Sequence, residues 1–247
     1  FTTDRLVAMD ILHQPERVII EYNGMWLVSN FEKMQLPKGW GVEQQITCVD
    51  GSTFQMYMAN MKSIFMDMIK NTDMVIFNRC KKEDPLPTYR RGIKVANQRA
   101  EVIFEDEEGE LGDIFQDEMP FDMNAPVIEI LPEDYGIWFV DAMDHPENYE
   151  GKTVKFKARV MKPRGMGSKF FVPGRTAMTC CADDTTFLGY VCKSAYAPKL
   201  TPGEWVEVTA KVGIEKRNEY QGEEGIVLAA EHVEQCDPLE DEMVYFN

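Results

Sequence analysis

Thr153-Val-Lys-Phe-Lys-Ala-Arg-Val160 decides the fold of the second half of this chain. Val154, Phe156, Ala158 and Val160 alternate with Lys155, Lys157 and Arg159. Successive side chains point to opposite faces of a strand, so this pattern predicts a strand buried on one side and wet on the other. Upstream, Leu131-Pro-Glu-Asp-Tyr135 opens a short helix carrying Trp138, Phe139 and Met143, and His145-Pro146 ends it. Glu150-Gly151-Lys152 reads as a turn into the strand. Downstream, further strands are predicted over 169–172, 176–181, 187–192, 205–212 and 226–233. The loop 162–168 and the turns Pro202-Gly203 and Gln221-Gly222 separate them. Five or six short strands after one helix predict a small closed barrel of OB-like type over residues 126–247.

The first half is less regular. Residues 17–22 and 25–29 predict a hairpin around Asn23-Gly24, and 43–49 with 53–59 a second one around Asp50-Gly51. Met61, Ile64, Phe65, Met68 and Ile69 have helical spacing and predict a helix over 61–70. Strands are expected over 74–77 and 100–104, with a charged, proline-containing loop over 81–91 between them. The acidic stretch from Glu105 to Glu110, followed by Asp113, Asp117 and Glu118, reads as a solvated linker. The expected organisation is a β-rich α+β domain over 1–125 and the barrel over 126–247, mainly β and α+β overall. Two pairs of similar patches admit a distant duplication. His13-Gln-Pro15-Glu16 is like His145-Pro146-Glu147, and the stretch around Cys48 and Phe54 is like that around Cys180 and Phe187.

With 247 residues, 44% of them apolar and 28% charged, the chain has the composition of folded globular domains. Its net charge of −16, from 42 acidic against 26 basic residues, argues against nucleic acid and anionic membrane surfaces, which require a positive footprint. No apolar run of about 18 residues predicts a membrane span. A chain that opens on Phe1 is expected to have lost a tag, a signal or an anchor. The scattered methionines, clustered only over 56–68, are expected to pack in cores.

Chemistry concentrates in Arg175-Thr-Ala-Met-Thr-Cys180-Cys181-Ala-Asp183-Asp184. Adjacent cysteines are poor material for a disulfide, because Cα atoms about 3.8 Å apart fall below the usual minimum of about 4.4 Å. Three readings stand for Cys180 and Cys181. They are buried structural thiols, a strained redox pair, or soft ligands for zinc or Cu(I) completed by Asp183, Asp184, Cys192 or a histidine. Arg175 is placed either across the hairpin mouth from Asp183 or in solvent. Asp183-Asp184 also suits a plain turn. The three histidines, at 13, 145 and 232, stand apart, and no nucleophile–base constellation, P-loop or glycine-rich dinucleotide motif is present. The expectation is therefore a protein that is not an enzyme. Phe170, Phe171, Tyr190, Tyr196 and Trp205 form a candidate aromatic binding face of the barrel.

Arg175-Thr-Ala-Met-Thr-Cys180-Cys181-Ala-Asp183 resembles the signature of the bacterial DUF1980 proteins, with Thr176 where that pattern has an aromatic and one residue fewer before the aspartate. His145-Pro-Glu-Asn-Tyr149-Glu-Gly151-Lys152, Trp205-Val206 and Met243-Val-Tyr-Phe246 resemble its flanking landmarks in the same order. The resemblance covers roughly residues 128–247. It implies a domain held outside the cytoplasmic membrane, anchored there in the full-length protein, and paired with a membrane permease of the YraQ type. It implies no reaction. Arg175, Cys180, Cys181, Asp183 and Asp184 are the candidate ligand- or partner-binding residues, with Cys180, Cys181 and Asp183 the candidate metal donors.

Overall fold

The computed structural model describes residues 2–112, 119–179 and 184–245, and divides into two compact units, Phe1–Ile114 and Phe115–Asn247.

The first unit contains α1 (Thr3–His13), α2 (Val28–Glu32), β1 (Ile46–Asp50), α3 (Phe54–Ile69), β2 (Met74–Asn78), α4 (Leu86–Ala96) and β3 (Glu101–Phe104). Its three strands pair in parallel in the order β1-β2-β3. Parallel neighbours cannot be joined by a tight turn and require crossovers, which α3 and α4 supply. Phe54, Phe65, Phe77, Tyr89 and Phe104 pack between sheet and helices, with Phe77 stacked on Phe104 at 4.9 Å and edge-on to Phe54 at the same distance.

Neither N-terminal hairpin forms. Asn23 Oδ1 accepts from Met25 N at 2.8 Å, so Asn23-Gly24 does turn the chain, but no strand flanks it and α2 comes next. At Asp50-Gly51 the carboxylate accepts from Ser52 N at 3.0 Å, and a 3-10 turn over Gly51–Thr53 leads into a helix instead of a return strand. The helical spacing begins at Phe54, and with Met58, Met61, Phe65 and Met68 it continues through the α3 kink at Met61. The stretch 81–91 is likewise only half loop, since Pro85 precedes α4 as its N-cap and Pro87 sits in its first turn, where a missing N–H costs nothing, and Leu86, Tyr89 and Ile93 turn inward.

The second unit contains β4 (Ile128–Glu129), α5 (Tyr135–Asp144), β5 (Thr153–Met161), β6 (Phe170–Met178), β7 (Thr185–Gly189), β8 (Val191–Lys193), β9 (Trp205–Lys216), β10 (Glu224–Gln235) and β11 (Met243–Val244). Antiparallel pairings β5–β6, β6–β8, β10–β9 and β9–β5, with one parallel pairing β8–β10, close a ring of five strands. This is the small OB-like barrel expected from the sequence, and β4 and β11 extend its edges. The inward residues of β5 are those of the alternation, with Val154, Phe156, Ala158 and Val160 all at most 3% exposed.

Two glycines let β6 and β7 touch. Gly174 pairs with Gly189, and a Cβ at Gly174 would lie 2.3 Å from the Leu188 carbonyl, while one at Gly189 would lie 2.6 Å from the Pro173 carbonyl. Helix α5 supplies Tyr135, Trp138 and Phe139 to the core, with Trp138 4.8 Å from Phe156 and Phe139 stacked on Tyr190 at 4.8 Å. Hydroxyls fix the same face. Tyr135 donates to the Leu188 carbonyl at 3.0 Å, Tyr190 donates to the Phe139 carbonyl, and Tyr149 donates to Asp141 Oδ2 at 2.6 Å.

Of the patches that raised a duplication, His13 and His145 both close a helix, but the longer pair takes unlike structures. Around Cys48, β1 runs through a 3-10 turn into a helix, whereas β6 turns back into β7. A parallel sheet with crossover helices and an antiparallel barrel are not two copies of one fold.

Candidate functional site

The signature stretch lies along β6 and its hairpin with β7. Pairing runs from Gly174↔Gly189 to Met178↔Thr185. Beyond it the buried Thr179 donates from its backbone N at 3.0 Å and from its hydroxyl at 2.8 Å to the Asp184 carbonyl. That pair of hydrogen bonds clamps the hairpin mouth. Cys180, Cys181 and Asp183 lie outside the described residues, as does the pairing of Arg175 with Asp183. Asp184 is exposed, and its carbonyl is the acceptor of the clamp.

Arg175 is 2% exposed, so the alternative of an arginine standing free in solvent is corrected. Strand β6 turns the guanidinium inward, where Nη1 donates to the Pro132 carbonyl and Nη2 donates at 3.0 Å to the carbonyls of Asp241 and Met243. Its Cζ sits 5.6 Å from the Tyr135 ring centroid. One side chain thereby ties the entry to α5, the strand β6 and the segment leading into β11. Burial pulls the guanidinium below its ordinary pKa, and the carbonyl dipoles supply the compensation that a carboxylate would otherwise give.

Of the remaining cysteines, Cys80 and Cys192 are buried. Cys192 is fully buried in the barrel, and burial pushes its thiol up to about 12. Cys80 is buried in the first unit with its thiol pushed up to about 11, first of all by burial. Among the described residues, no group of three or more His, Cys, Asp or Glu side chains could hold a metal ion. His145 ends α5, its backbone N donating to the Asp141 carbonyl at 2.7 Å, and His232 lies 3.3 Å from Glu234 on an exposed strand face.

The candidate aromatic face is mostly core. Phe171, Tyr190 and Trp205 are buried, Tyr196 is 43% exposed, and Phe170 is half-buried beneath Arg217. What sequence reasoning missed is the surrounding of Phe170, where the loop 162–169 meets the turn 217–223 to enclose a groove. These segments are far apart in the chain, and only ring closure brings them together. The local signal was two glycine-bearing loops, the first of them basic with Lys162, Arg164 and Lys169, each placed after a long barrel strand.

A closed five-stranded barrel sealed by one preceding helix, with its hairpin signature at one end, defines a small OB-type barrel protein. Residues 110–246, more than half of the chain, match the model of the DUF1980 C-terminal domain, and the chain belongs to the DUF1980 family. Among curated proteins, none matches this chain. Among solved structures, the chain is similar to the mitochondrial single-stranded DNA binding protein Rim1 of S. cerevisiae, at 10% identity over 36% of this chain and 97% of that one, with a TM-score of 0.22. It is also similar to an aspartyl tRNA synthetase from Entamoeba histolytica, at 15% identity over 48% of this chain and 27% of that one, with a TM-score of 0.25. Both scores are too low to bear on function. No helix among the described residues is long and apolar enough to cross a membrane.

Proposed function

We propose that this chain is a non-enzymatic accessory domain that works outside the bacterial cytoplasmic membrane beside a permease of the YraQ type, with its β6–β7 hairpin as the recognition element. The observation that carries this reading is the coincidence of the family's signature with one hairpin of a rigid barrel. The strand leading to it is anchored by Arg175, and its mouth is clamped by Thr179 and Asp184. Binding residues are commonly carried on loops that a rigid scaffold positions. The carboxyl-poor, carbonyl-lined burial of Arg175 supports a structural task for that residue, which leaves recognition to Cys180, Cys181, Asp183 and Asp184. Two thiols and two carboxylates in five residues suit a soft metal ion such as zinc or Cu(I), or a small ligand, held at the contact with the permease.

Elemental analysis after incubation with zinc or Cu(I), together with thiol counting on reduced protein, tests the ligand part. The expected result is about one metal per chain, lost in Cys180→Ser/Cys181→Ser. Absence of metal with slow-reacting thiols would remove the metal and leave the hairpin as a protein contact alone.

A further inference from the structure

A groove that Phe170 shares with the β9–β10 turn lies apart from the described part of the signature hairpin. It is about 700 Å³, within the range of pockets that hold small ligands. Strand β6 begins at Phe170 and ends at Met178, so the groove and the signature hairpin lie at opposite ends of one strand. Its walls are the loop between β5 and β6 and the turn between β9 and β10. These are the two loops that frame ligand sites on barrels of this architecture.

Three features of the lining specify a ligand. The floor is a fixed plate. Arg217 Cζ lies 4.3 Å from the Phe170 ring centroid, and Glu219 holds the guanidinium in place through two bonds, from Nε at 3.2 Å and Nη2 at 3.0 Å. The bidentate partner fixes the guanidinium plane and leaves Arg217 little positive charge to offer. The second feature is a pair of further cations. Arg164 from one wall and Lys216 from the other are exposed and have no hydrogen-bond or ion-pair partner among the described residues. The third is contrast, because in a chain of net charge −16 the groove lining carries Arg164, Lys216 and Arg217 against Glu219 alone, with Glu215 3.7 Å from Arg217 Nη1 and Glu224 opposite Lys216 in the register just outside it.

Two uncommitted cations on facing loops suit one doubly charged oxyanion, and arginine in particular matches the paired oxygens of a phosphate. The flat plate, with the guanidinium of Arg217 over Phe170, suits an aromatic ring stacked on it. A long polyanion is disfavoured, since outside the groove it would meet a strongly acidic protein. We propose that this groove binds a small phosphate monoester carrying a ring, its phosphate between Arg164 and Lys216 and its ring on the Phe170–Arg217 plate.

Phenyl phosphate is the probe, titrated calorimetrically into the whole chain at low salt beside inorganic phosphate, benzyl alcohol and an oligothymidylate. The expected order is phenyl phosphate tighter than inorganic phosphate by at least tenfold, with benzyl alcohol undetectable. Arg164→Ala/Lys216→Ala, with both side chains exposed and the melting temperature unchanged, should weaken phenyl phosphate at least thirtyfold. Phe170→Leu should bring phenyl phosphate down to the affinity of inorganic phosphate. Wild type that fails to bind phenyl phosphate at millimolar concentration overturns the proposal, as does a double variant that binds it unchanged. Oligothymidylate binding more tightly than phenyl phosphate, and lost in the same variant, also overturns it in favour of a polymer groove. Cys180→Ser/Cys181→Ser should leave all these affinities unchanged, which separates this site from the hairpin.

Discussion

Arg175→Ala should destabilise the barrel unit far more than it alters any binding. The guanidinium donates to three backbone carbonyls, at Pro132, Asp241 and Met243, from a side chain 2% exposed. A hydrogen bond to a charged group contributes about 1.5–3 kcal/mol, so three give roughly 5–9 kcal/mol before the cost of burying the cation. That cost is several kcal/mol, in line with a guanidinium pKa pulled down by burial. The net loss should be about 3 kcal/mol, because alanine removes the charge but leaves three carbonyls without donors and a cavity under Tyr135. For a unit of this size, about 3 kcal/mol corresponds to roughly 10 °C in melting temperature. Arg175→Lys should recover less than half of it, since one ammonium cannot span the three acceptors of the fork. Urea and thermal melts followed by far-ultraviolet circular dichroism measure both variants. A melting temperature within about 2 °C of wild type for Arg175→Ala, combined with loss of metal or partner binding, would refute the structural assignment and return Arg175 to the binding site.

Three further outcomes rest on the same packing. Gly174→Ala should cost about 3 kcal/mol in urea unfolding, because the new Cβ would sit 2.3 Å from a backbone carbonyl that cannot swing away, whereas Gly165→Ala, in an open loop, should cost only the strain of its positive φ. Tyr149→Phe should cost about 1–2 kcal/mol by removing the 2.6 Å bond to Asp141 in a buried setting, readable as a shift of the urea midpoint without change of slope. Cys192, whose folded thiol titrates at about 12 against an ordinary value near 9, should leave stability untouched below pH 9 and lower it as pH rises from 9 toward 12, because the unfolded thiol releases its proton first. Urea midpoints for wild type and Cys192→Ala across that range should diverge only above pH 9, and Cys192 should resist thiol reagents at neutral pH.

The barrel was legible because its strands alternate one residue in, one residue out, as at 153–160, and because turn residues punctuate them. Two strand boundaries differ: the strands expected over 169–172 and 176–181 are one strand, β6, whereas the single strand expected over 187–192 is divided between β7 and β8. Pro173-Gly174 reads as a turn, yet it sits inside one strand, since the Gly174–Gly189 approach replaces side chains with backbone contact. The first half misled for a physical reason. Asn-Gly and Asp-Gly mark turns without specifying whether a strand or a helix comes next, and at Asp50 the same carboxylate that favours a hairpin turn starts a helix. Once Phe54 is counted with Phe65 and Ile69, the helical period wins. At the candidate site, Arg175 was visible as a residue but not as a clamp, because its acceptors stand more than forty positions away in either direction and are all backbone carbonyls. Carbonyl acceptors leave no trace in residue identity. The groove at Phe170 was hidden similarly, by walls that ring closure alone makes neighbours.

Co-purification with a YraQ-type permease tests the accessory role most directly. The chain, co-expressed with that permease and with an unrelated permease as control, would be retained from detergent-solubilised membranes and quantified against the bait. Retention near one chain per permease, at least tenfold above the control and lost in Cys180→Ser/Cys181→Ser with the fold intact, is the predicted result. Retention equal to the control for the wild-type chain would contradict the accessory role outright.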